Sequence, residues 1–330
     1  MSIGEGWLRT IVTQARWEAE GVLSLTLTAP GGAALPEWHP GAHVDVRLPS
    51  GLVRQYSLCG DPAESTYTIA VLREKDGRGG SAEIHDTALV GRDLRIRAPR
   101  NHFQLELADR YLFLAGGIGI TPVLAMVREA IDRGSSWTLH YGGRSASTMA
   151  FTRTLRSLAG SDGDSLTIRA EDQEGPLPLR DIVRDAAAGT VLYACGPAGM
   201  LRVLREAVVS ERPDLELRTE QFTAAPKSNT TDEADTADVA PNGPFEVELS
   251  RTGETVSVPP GTSILDAVRE LRPDVLSSCE EGFCGTCETK VIAGTPIHQD
   301  SILGERERAK NTTMMICVGG CASGRLVLDL

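Results

Sequence analysis

Residues 277–290 read SSCEEGFCGTCETK, and residues 314–320 read MMICVGG. Together these segments place three cysteines at the spacing C-x4-C-x2-C and a fourth farther along the chain: Cys279, Cys284, Cys287 and Cys317. At this spacing four thiolates can hold a [2Fe–2S] cluster. Thiolates are soft anionic ligands that suit iron–sulfur centres. The two segments therefore predict a small iron–sulfur domain at the C-terminal end of the sequence.

A structural zinc site and a disulfide are the alternatives for the same cysteines. Zinc sites usually contain two C-x2-C pairs, whereas this chain contains one, Cys284 and Cys287. Gly282 and Gly285 lie between the cysteines. Glycine allows unusual backbone angles and lets N–H groups approach the sulfur atoms. The pattern favours the cluster, which needs a source of single electrons elsewhere in the chain.

The composition is that of a globular protein, with 330 residues, of which 41% are hydrophobic and 24% are charged. A net charge of −12 argues against binding to nucleic acid or to an anionic membrane surface. The sequence lacks a long apolar run typical of a transmembrane helix, and its start, MSIGEGWLRT, lacks the pattern of a secretory signal. Three further cysteines, an odd number, are typical of a reducing compartment: Cys59, Cys195 and Cys321. We therefore expect a cytoplasmic protein with no nucleic-acid partner and no membrane partner.

The pattern of apolar runs divides the chain into three domains and a linker. Residues 1–107 contain short alternating runs separated by Gly and Pro, which predict an antiparallel β-barrel. Residues 108–222 alternate apolar strands with helical segments, which predicts an α/β domain on a parallel sheet. Residues 223–243 are polar and acidic and predict a flexible linker. Residues 244–330 begin with a hairpin-like pair of strands and a short helix, which predict an α+β, β-grasp-like domain around the cysteines.

Two glycine turns in the α/β domain predict a nucleotide site. Residues 116–122 read GGIGITP, follow an apolar strand and open a helix, where backbone N–H groups can meet a diphosphate. Residues 195–197, CGP, end another strand of the same sheet, and both turns should face one crevice. Tight strand–helix packing is the alternative, because many α/β proteins have glycine at this turn and the loop departs from G-x-G-x-x-G. The candidate residues are Gly116, Gly117, Gly119, Thr121, Pro122, Cys195, Gly196 and Pro197.

A third candidate site lies in the predicted barrel, where residues 54–57 read RQYS and residues 79–81 read GGS. Arginine presents a fork of donors that suits a phosphate. Tyrosine offers a flat ring for an aromatic cofactor, and serine a small hydroxyl. Composition alone is weak evidence, because arginine and tyrosine on a strand usually form a solvated or half-buried face. The candidate residues are Arg54, Gln55, Tyr56, Ser57, Gly79, Gly80 and Ser81.

The motifs in this order resemble the ferredoxin–NADP reductase superfamily, and within it the phthalate dioxygenase reductase type, which includes vanillate demethylase reductase subunits. In that family R-x-Y-S binds flavin, GGIGITP and CGP bind the nicotinamide nucleotide, and a ferredoxin module holds the [2Fe–2S] cluster. The resemblance covers the whole chain. It implies FMN rather than FAD, because family members with GRGGS in the place of residues 77–81 typically hold FMN.

The resemblance also implies roles for individual residues. Thr121 matches the residue near the contact between flavin and nicotinamide, and Phe222 matches the aromatic residue that closes the nucleotide domain against the flavin. With Cys195 they form the expected reaction centre. A core residue at a strand end is the alternative for Phe222. Arg144 and Ser145 follow the second strand of the α/β domain, where they could meet the 2′-phosphate of NADPH, contact the adenosine side of NADH, or face solvent. We expect NADH, with NADPH left open, because the related reductases mostly use NADH.

The resemblance therefore predicts an NAD(P)H-dependent oxidoreductase that serves as the reductase component of an oxygenase. Electrons would pass from NADH through FMN and the [2Fe–2S] cluster to a terminal oxygenase, either a Rieske non-haem iron enzyme or a cytochrome P450. One alternative is a redox-sensing module that binds flavin and cluster without sustained turnover. The other is a flavin reductase whose C-terminal module holds structural zinc.

Overall fold

The computed structural model describes residues 6–74, 77, 79–160, 165–222, 244–277, 280, 282, 285–300 and 302–330. The chain divides into two compact units, Met1–Phe222 and Thr223–Leu330. The predicted linker, residues 223–243, lies outside the described residues. Among the helices that are described, none is long and apolar enough to cross a membrane.

The first sheet of the N-terminal unit has six strands: β1 (Trp7–Ala19), β2 (Val22–Thr28), β3 (His43–Arg47), β4 (Val53–Ser57), β5 (Tyr67–Leu72) and β6 (Asp93–Arg97). The strands pair antiparallel in the order β4-β3-β6-β1-β2-β5. A bridge between Leu58 and Ile69 joins the end of β4 to β5, so that the two edge strands meet. Alternate residues such as Val44 and Val46 are fully buried inside the sheet. The sheet thus closes around one hydrophobic core, as a barrel does.

A short helix, α1 (Gly80–Asp86), lies between β5 and β6 and was not predicted. Its seven residues are too few to show a helical period in the sequence. Ile84 is buried in the barrel core. The carboxylate of Glu83 accepts hydrogen bonds from the backbone N–H and the hydroxyl of Ser50, at 2.8 Å and 2.5 Å. These contacts fix α1 against the turn between β3 and β4.

The second sheet has five strands: β7 (Arg110–Gly116), β8 (Ser136–Gly143), β9 (Leu166–Ala170), β10 (Val191–Cys195) and β11 (Glu216–Glu220). The helices are α2 (Ile120–Asp132), α3 (Thr152–Ala159), α4 (Glu171–Glu174), α5 (Leu179–Arg184) and α6 (Ala198–Glu211). All strand pairs are parallel, and the order is β11-β10-β7-β8-β9. The central strand β7 is apolar and buried after its first residue, which is typical of a parallel sheet covered on both faces.

The barrel and the parallel sheet share one hydrophobic core. Phe103, in the connection between them, packs edge-on against Tyr193 of β10 with ring centroids 5.5 Å apart. The Tyr193 hydroxyl donates to the carbonyl of Gln104 at 3.1 Å and accepts from the N–H of Glu106 at 2.9 Å. The connection is therefore packed and hydrogen-bonded onto β10.

The C-terminal unit has seven described strands: β12 (Phe245–Leu249), β13 (Thr255–Val258), β14 (Glu288–Ala293), β15 (Pro296–Ile297), β16 (Thr313–Met315), β17 (Gly320–Cys321) and β18 (Arg325–Leu328). Its described helices are α7 (Ile264–Arg269) and α8 (Glu305–Arg308). Five strands form a mixed sheet in the order β13-β12-β18-β14-β16, in which only β12 and β18 are parallel, and β15 pairs with β17. Helix α7 buries Ile264, Leu265 and Val268 in the core of this unit. The antiparallel, parallel and mixed sheets together confirm the predicted fold class.

Candidate functional site

The predicted nucleotide crevice lies where the order of the parallel sheet reverses. Strand β7 has β8 on one side and β10 on the other, and ligands of such sheets bind outside the carboxyl ends of the strands at this point. A Cβ atom at Gly119 would lie 2.2 Å from the carbonyl oxygen of Cys195, and one at Gly116 would lie 2.7 Å from Cδ of Pro197. The two glycine turns are therefore in contact, and only the absence of side chains at these positions allows it.

Thr121 and Pro122 form the first turn of α2 at the edge of this crevice. Thr121 is buried, and its hydroxyl donates to the carbonyl of Ile118 at 2.9 Å. This bond ties the helix to the glycine turn before it. Pro122 has no N–H to donate, which is tolerated in the first turn because that group would lack an intrahelical acceptor. Both residues thus shape the turn, and the role of Thr121 at the reaction centre stays a prediction.

Cys195 and Glu220 are opposite one another at the ends of the parallel strands β10 and β11. Cys195 is fully buried. Burial, followed by the nearby Glu220, raises the pKa of its thiol well above the usual 9.0. Burial also raises the pKa of the Glu220 carboxyl from 4.5 to about 8, and its enclosed Oε2 atom has no hydrogen-bond partner among the described residues. At neutral pH this end of the sheet therefore carries a neutral thiol and a predominantly protonated carboxyl group.

Glu220 was not among the residues predicted from the sequence. A single acidic residue at the end of the strand ELRTE reads as a surface charge. Only the register of β11 against β10 shows that its carboxyl is enclosed beside Cys195. Phe222 follows two residues later, is half-buried and packs against the core shared by the barrel and the parallel sheet. This packing agrees with a core residue at a strand end and leaves its contact with a flavin ring a prediction.

The RQYS motif forms most of β4, paired with β3. Tyr56 is half-buried opposite Val44, and burial raises the pKa of its hydroxyl above the ordinary range, so that the group is neutral. Gln55 donates to the carboxylate of the fully buried Asp45 at 3.4 Å. Ser57 is buried at the end of the strand. Gln55 and Tyr56 therefore point to opposite faces of β4, as neighbouring strand residues do.

Arg54 lies against the glycines at the start of α1. A Cβ atom at Gly80 would lie 2.6 Å from Cγ and 2.8 Å from Nε of Arg54, so the arginine side chain fills the space above the glycine. Gly79 precedes it, and the hydroxyl of Ser81 accepts the N–H of Glu74 at 3.0 Å. The arginine side chain and the GGS segment are therefore in contact, and their role in holding a phosphate stays a prediction. A guanidinium beside bare backbone fits the phosphate of FMN.

Arg144 and Ser145 follow the carboxyl end of β8. The Ser145 hydroxyl lies 3.2 Å from that of Thr148 and 3.1 Å from that of Ser147, inside a short capped turn. Ser147 in turn donates to the carboxylate of Glu20 in the barrel at 3.0 Å. The serine hydroxyl is therefore engaged in the turn, whereas Arg144 is exposed.

Two of the four predicted cluster ligands, Cys279 and Cys284, lie outside the described residues. The other two, Cys287 and Cys317, are buried with their Sγ atoms 3.1 Å apart. This distance is far longer than the roughly 2.05 Å of a disulfide. The two thiols come from separate segments of the chain, at the start of β14 and just after β16. Two adjacent thiols from separate segments, with no disulfide between them, fit one end of a four-thiolate cage for iron.

Gly282, one of the two glycines between the cysteines, is needed for both its backbone angle and its size. Gly282 has a φ of +76°, and a Cβ atom there would lie 2.6 Å from Cγ2 of Val318, the residue after Cys317. Gly282 is therefore packed directly against the segment that carries the fourth predicted ligand. Cys321 lies in β17 with its sulfur 3.5 Å from the hydroxyl of Ser323, so that it has a polar neighbour of its own.

Two family models match the chain. The model described as 2Fe-2S iron-sulfur cluster binding domain matches residues 247–319, which include all four predicted cluster cysteines. The model described as oxidoreductase NAD-binding domain matches residues 113–206, which include both glycine turns.

The chain is similar over almost its whole length to proteins of oxygenase systems. It is 42% identical to the phenoxybenzoate dioxygenase subunit beta of Ectopseudomonas oleovorans, over 94% of this chain and 94% of that protein. It is 39% identical to the vanillate O-demethylase oxidoreductase of Pseudomonas sp. (strain HR199 / DSM 7063), over 98% of this chain and 100% of that protein.

Solved structures also match the whole fold. Phthalate dioxygenase reductase, whose structure is described as modular for electron transfer from pyridine nucleotides to [2Fe-2S], superposes with a TM-score of 0.69 at 33% identity, over 99% of this chain and 98% of that one. An intact type IV self-sufficient cytochrome P450 monooxygenase superposes with a TM-score of 0.84 at 37% identity, over 100% of this chain and 43% of that longer one. These similarities confirm the resemblance read from the motifs. The roles of the individual residues stay predictions.

Proposed function

Since the chain belongs to the reductase family that includes vanillate O-demethylase oxidoreductase and phthalate dioxygenase reductase, we propose that it is the NAD(P)H-dependent reductase component of an oxygenase system. The observation that carries this function is the end-to-end match to a vanillate O-demethylase oxidoreductase, over 98% of this chain. The crevice at the switch point and the pair of buried thiols are the sites that such a protein needs.

The cofactors implied by the family are NADH, FMN and a [2Fe–2S] cluster, which when bound supply hydride transfer followed by transfer of single electrons. The protein supplies binding and placement. Gly116 and Gly119 let the two glycine turns touch, and the space beside Gly117 is open. The start of α2 adds N–H donors for the nucleotide diphosphate. Arg54 offers its guanidinium to the FMN phosphate. Cys287 and Cys317, with Cys279 and Cys284, supply the four thiolates for iron.

Cys195 and Glu220 place neutral groups beside the crevice. Since neither carries a full charge at neutral pH, the protein puts no fixed anion next to the site where hydride is transferred. A protonated Glu220 also has an O–H to donate, and its Oε2 atom is free to accept. In this proposal Glu220 orients the thiol of Cys195 or the bound nicotinamide.

The preferred electron donor in this proposal is NADH. A 2′-phosphate would need the hydroxyl of Ser145, but this hydroxyl already lies within hydrogen-bond distance of Ser147 and Thr148. Arg144 is exposed at this edge. The cellular location proposed is the cytoplasm, which is supported by five described cysteines that form no disulfide.

The proposed electron acceptor is the terminal oxygenase of the same system, a Rieske non-haem iron enzyme or a cytochrome P450. The relatives named above belong to a dioxygenase and a demethylase system, and a P450 monooxygenase chain contains a segment with this fold. Both classes of oxygenase consume electrons one at a time, which is what a [2Fe–2S] centre delivers.

Purification of the full chain tests this function directly. We expect FMN, iron and labile sulfide in the protein, sustained reduction of cytochrome c with NADH, and a higher kcat/KM for NADH than for NADPH. Zinc without sulfide would support the flavin reductase with a structural zinc module. Bound flavin and cluster without sustained NADH oxidation would support the redox-sensing module. Either result would overturn the proposal.

A further inference from the structure

Helix α7 touches both segments of the chain that carry cluster cysteines. At its N-terminal end, the backbone N–H of Leu265 donates to the carbonyl of Ile316 at 2.9 Å, next to Cys317. At its C-terminal end, Arg269 reaches Glu280, the residue after Cys279. The apolar face of α7 is buried in the core of the unit. The helix is therefore placed to hold the two segments at a fixed separation.

The contact with Glu280 is a small network. Nη2 of Arg269 lies 2.6 Å from Oε1 of Glu280. The hydroxyl of Ser277 donates to the same oxygen at 3.0 Å, and Arg269 donates to Ser277. On the helix itself, Asp266 accepts from Nη1 of Arg269 at 3.5 Å, and Ser263 donates to Asp266 at 2.7 Å. The guanidinium is thus oriented from its own helix and directed at the start of the cysteine loop.

The backbone of Glu280 shows what this contact holds in place. Its φ is +57°, in the left-handed region that residues with a side chain rarely adopt. Such a conformation persists only where the surroundings enforce it. Arg269 and Glu280 retain 34% and 40% of their side-chain exposure, and an exposed ion pair contributes little to overall stability. Its consequence is therefore expected in the local shape and charge of the loop.

We propose that Arg269 is a positioning residue for the iron–sulfur site: through Glu280 and Ser277 it holds the left-handed turn that follows Cys279, and it balances the carboxylate of Glu280 beside the cluster. This inference rests on the proposed function, since it needs the cysteines to hold a cluster. It adds a residue outside the cysteine motif to the parts that set the properties of that cluster.

The two roles of Arg269 can be separated by charge. A cluster held by four thiolates is anionic, and reduction adds a further negative charge. Removing the cation of Arg269 takes one positive charge away from the residue after Cys279, which disfavours reduction and lowers the midpoint potential. Replacing Glu280 by Gln removes one negative charge next to Cys279 and raises the potential. A purely structural role would not shift the potential in opposite directions in the two variants.

The experiment compares Arg269→Met, Arg269→Lys and Glu280→Gln with the control Arg272→Met in the full chain. Arg272 follows α7 and pairs with the adjacent Asp274 at 3.0 Å, so it is a nearby arginine whose ion pair does not involve the cysteine loop. The measurements are iron and sulfide content, the EPR spectrum of the reduced cluster, its midpoint potential, and the rate of iron loss to a chelator.

We expect a lower potential in Arg269→Met and a higher one in Glu280→Gln, with iron loss about three- to fivefold faster in both. Arg269→Lys should restore the potential, because it restores the charge, and Arg272→Met should match the wild type. Arg269→Met and Arg272→Met with the same potential, spectrum and iron loss would overturn the inference, as would shifts of the same sign in Arg269→Met and Glu280→Gln. If Arg269→Met does not fold, Glu280→Gln and Ser277→Ala carry the comparison.

The wild-type protein separates this inference from the proposed function. Wild-type protein without iron and sulfide would overturn both. Wild-type protein with a cluster, together with variants that match it, would overturn only the role of Arg269.

Discussion

Replacing Gly119 by alanine tests whether the contact between the two glycine turns serves nucleotide binding. The backbone at Gly119 has φ −60° and ψ −6°, which any residue adopts without strain. The new Cβ would lie 2.2 Å from the carbonyl oxygen of Cys195, 2.5 Å from its carbonyl carbon and 2.9 Å from the nitrogen of Gly196. All three atoms belong to backbone, so no side chain can move aside.

The size of the effect follows from these distances. Ordinary contacts begin near 3.4 Å, so the turns must separate by about 1.2 Å. Overpacking of this kind costs about 1–3 kcal/mol in the free energy of unfolding. A displacement of about 1 Å at a reacting site can lower the rate by about 100-fold. We therefore expect kcat/KM for NADH to fall about 10- to 100-fold in Gly119→Ala, with FMN and iron content unchanged.

The assay is steady-state reduction of cytochrome c at varied NADH, with thermal unfolding measured in parallel. Gly199→Ala is the matched control, because Gly199 lies in α6 near the same crevice and a Cβ atom there would meet nothing within 4 Å. Helical glycine to alanine should leave stability equal or slightly higher. If Gly119→Ala lowers the unfolding temperature but keeps the wild-type kcat/KM for NADH, the turn serves only strand–helix packing. The predicted nucleotide site would then be refuted.

Three further variants test the other assigned positions. Arg54→Ala should release FMN while iron stays bound. Arg47 is an exposed arginine on the neighbouring strand, and the control Arg47→Ala should keep both FMN and iron. The measurement is flavin and iron content, and unchanged FMN in Arg54→Ala would contradict the phosphate contact. Cys317→Ala should lose the cluster and Cys321→Ala should retain it, as visible absorption and sulfide analysis report; the reverse result would reassign the fourth ligand. Glu220→Gln should flatten the pH dependence of unfolding. Burial raises the pKa of Glu220 from 4.5 to about 8. Between these two pH values the folded wild type keeps a proton on Glu220 that the unfolded chain has released. Its stability should fall as the pH rises through this range, and an identical slope in the variant would contradict the enclosed carboxyl.

Sequence patterns predicted the parts of the fold that show hydrophobic periodicity or repeated Gly and Pro residues at the ends of helices and strands. The buried run in β7 and the strand–turn–helix at GGIGITP are of this kind, because several consecutive residues carry the same signal. Helix α1 was missed, since its seven residues GSAEIHD contain one buried side chain besides a glycine. The four-cysteine spacing needed no structure at all to be read as a cluster site.

The burial and the partners of individual charged residues could not be predicted from the sequence in the same way. Glu220 and Arg269 look like solvated surface residues in the sequence, as most charged residues are. The burial of Glu220 depends on the register of β11 against β10, and the ion pair of Arg269 depends on where Glu280 lies relative to α7. Both are set by tertiary packing, which leaves no local pattern around either residue.

The glycines of the nucleotide turn show the same difference between a local sequence signal and a tertiary contact. The sequence explains glycine at a turn by backbone freedom, and this reason holds at Gly117, whose φ is +55° and where a Cβ atom would meet nothing within 4 Å. At Gly119 the backbone is ordinary, and glycine is required because another strand's turn occupies the place of its side chain. An alanine at Gly117 is opposed by backbone strain alone and an alanine at Gly119 by contact alone. The closeness of the two turns, which the crevice depends on, is therefore carried by Gly119 and Gly116 and not by the glycine with the unusual backbone angle.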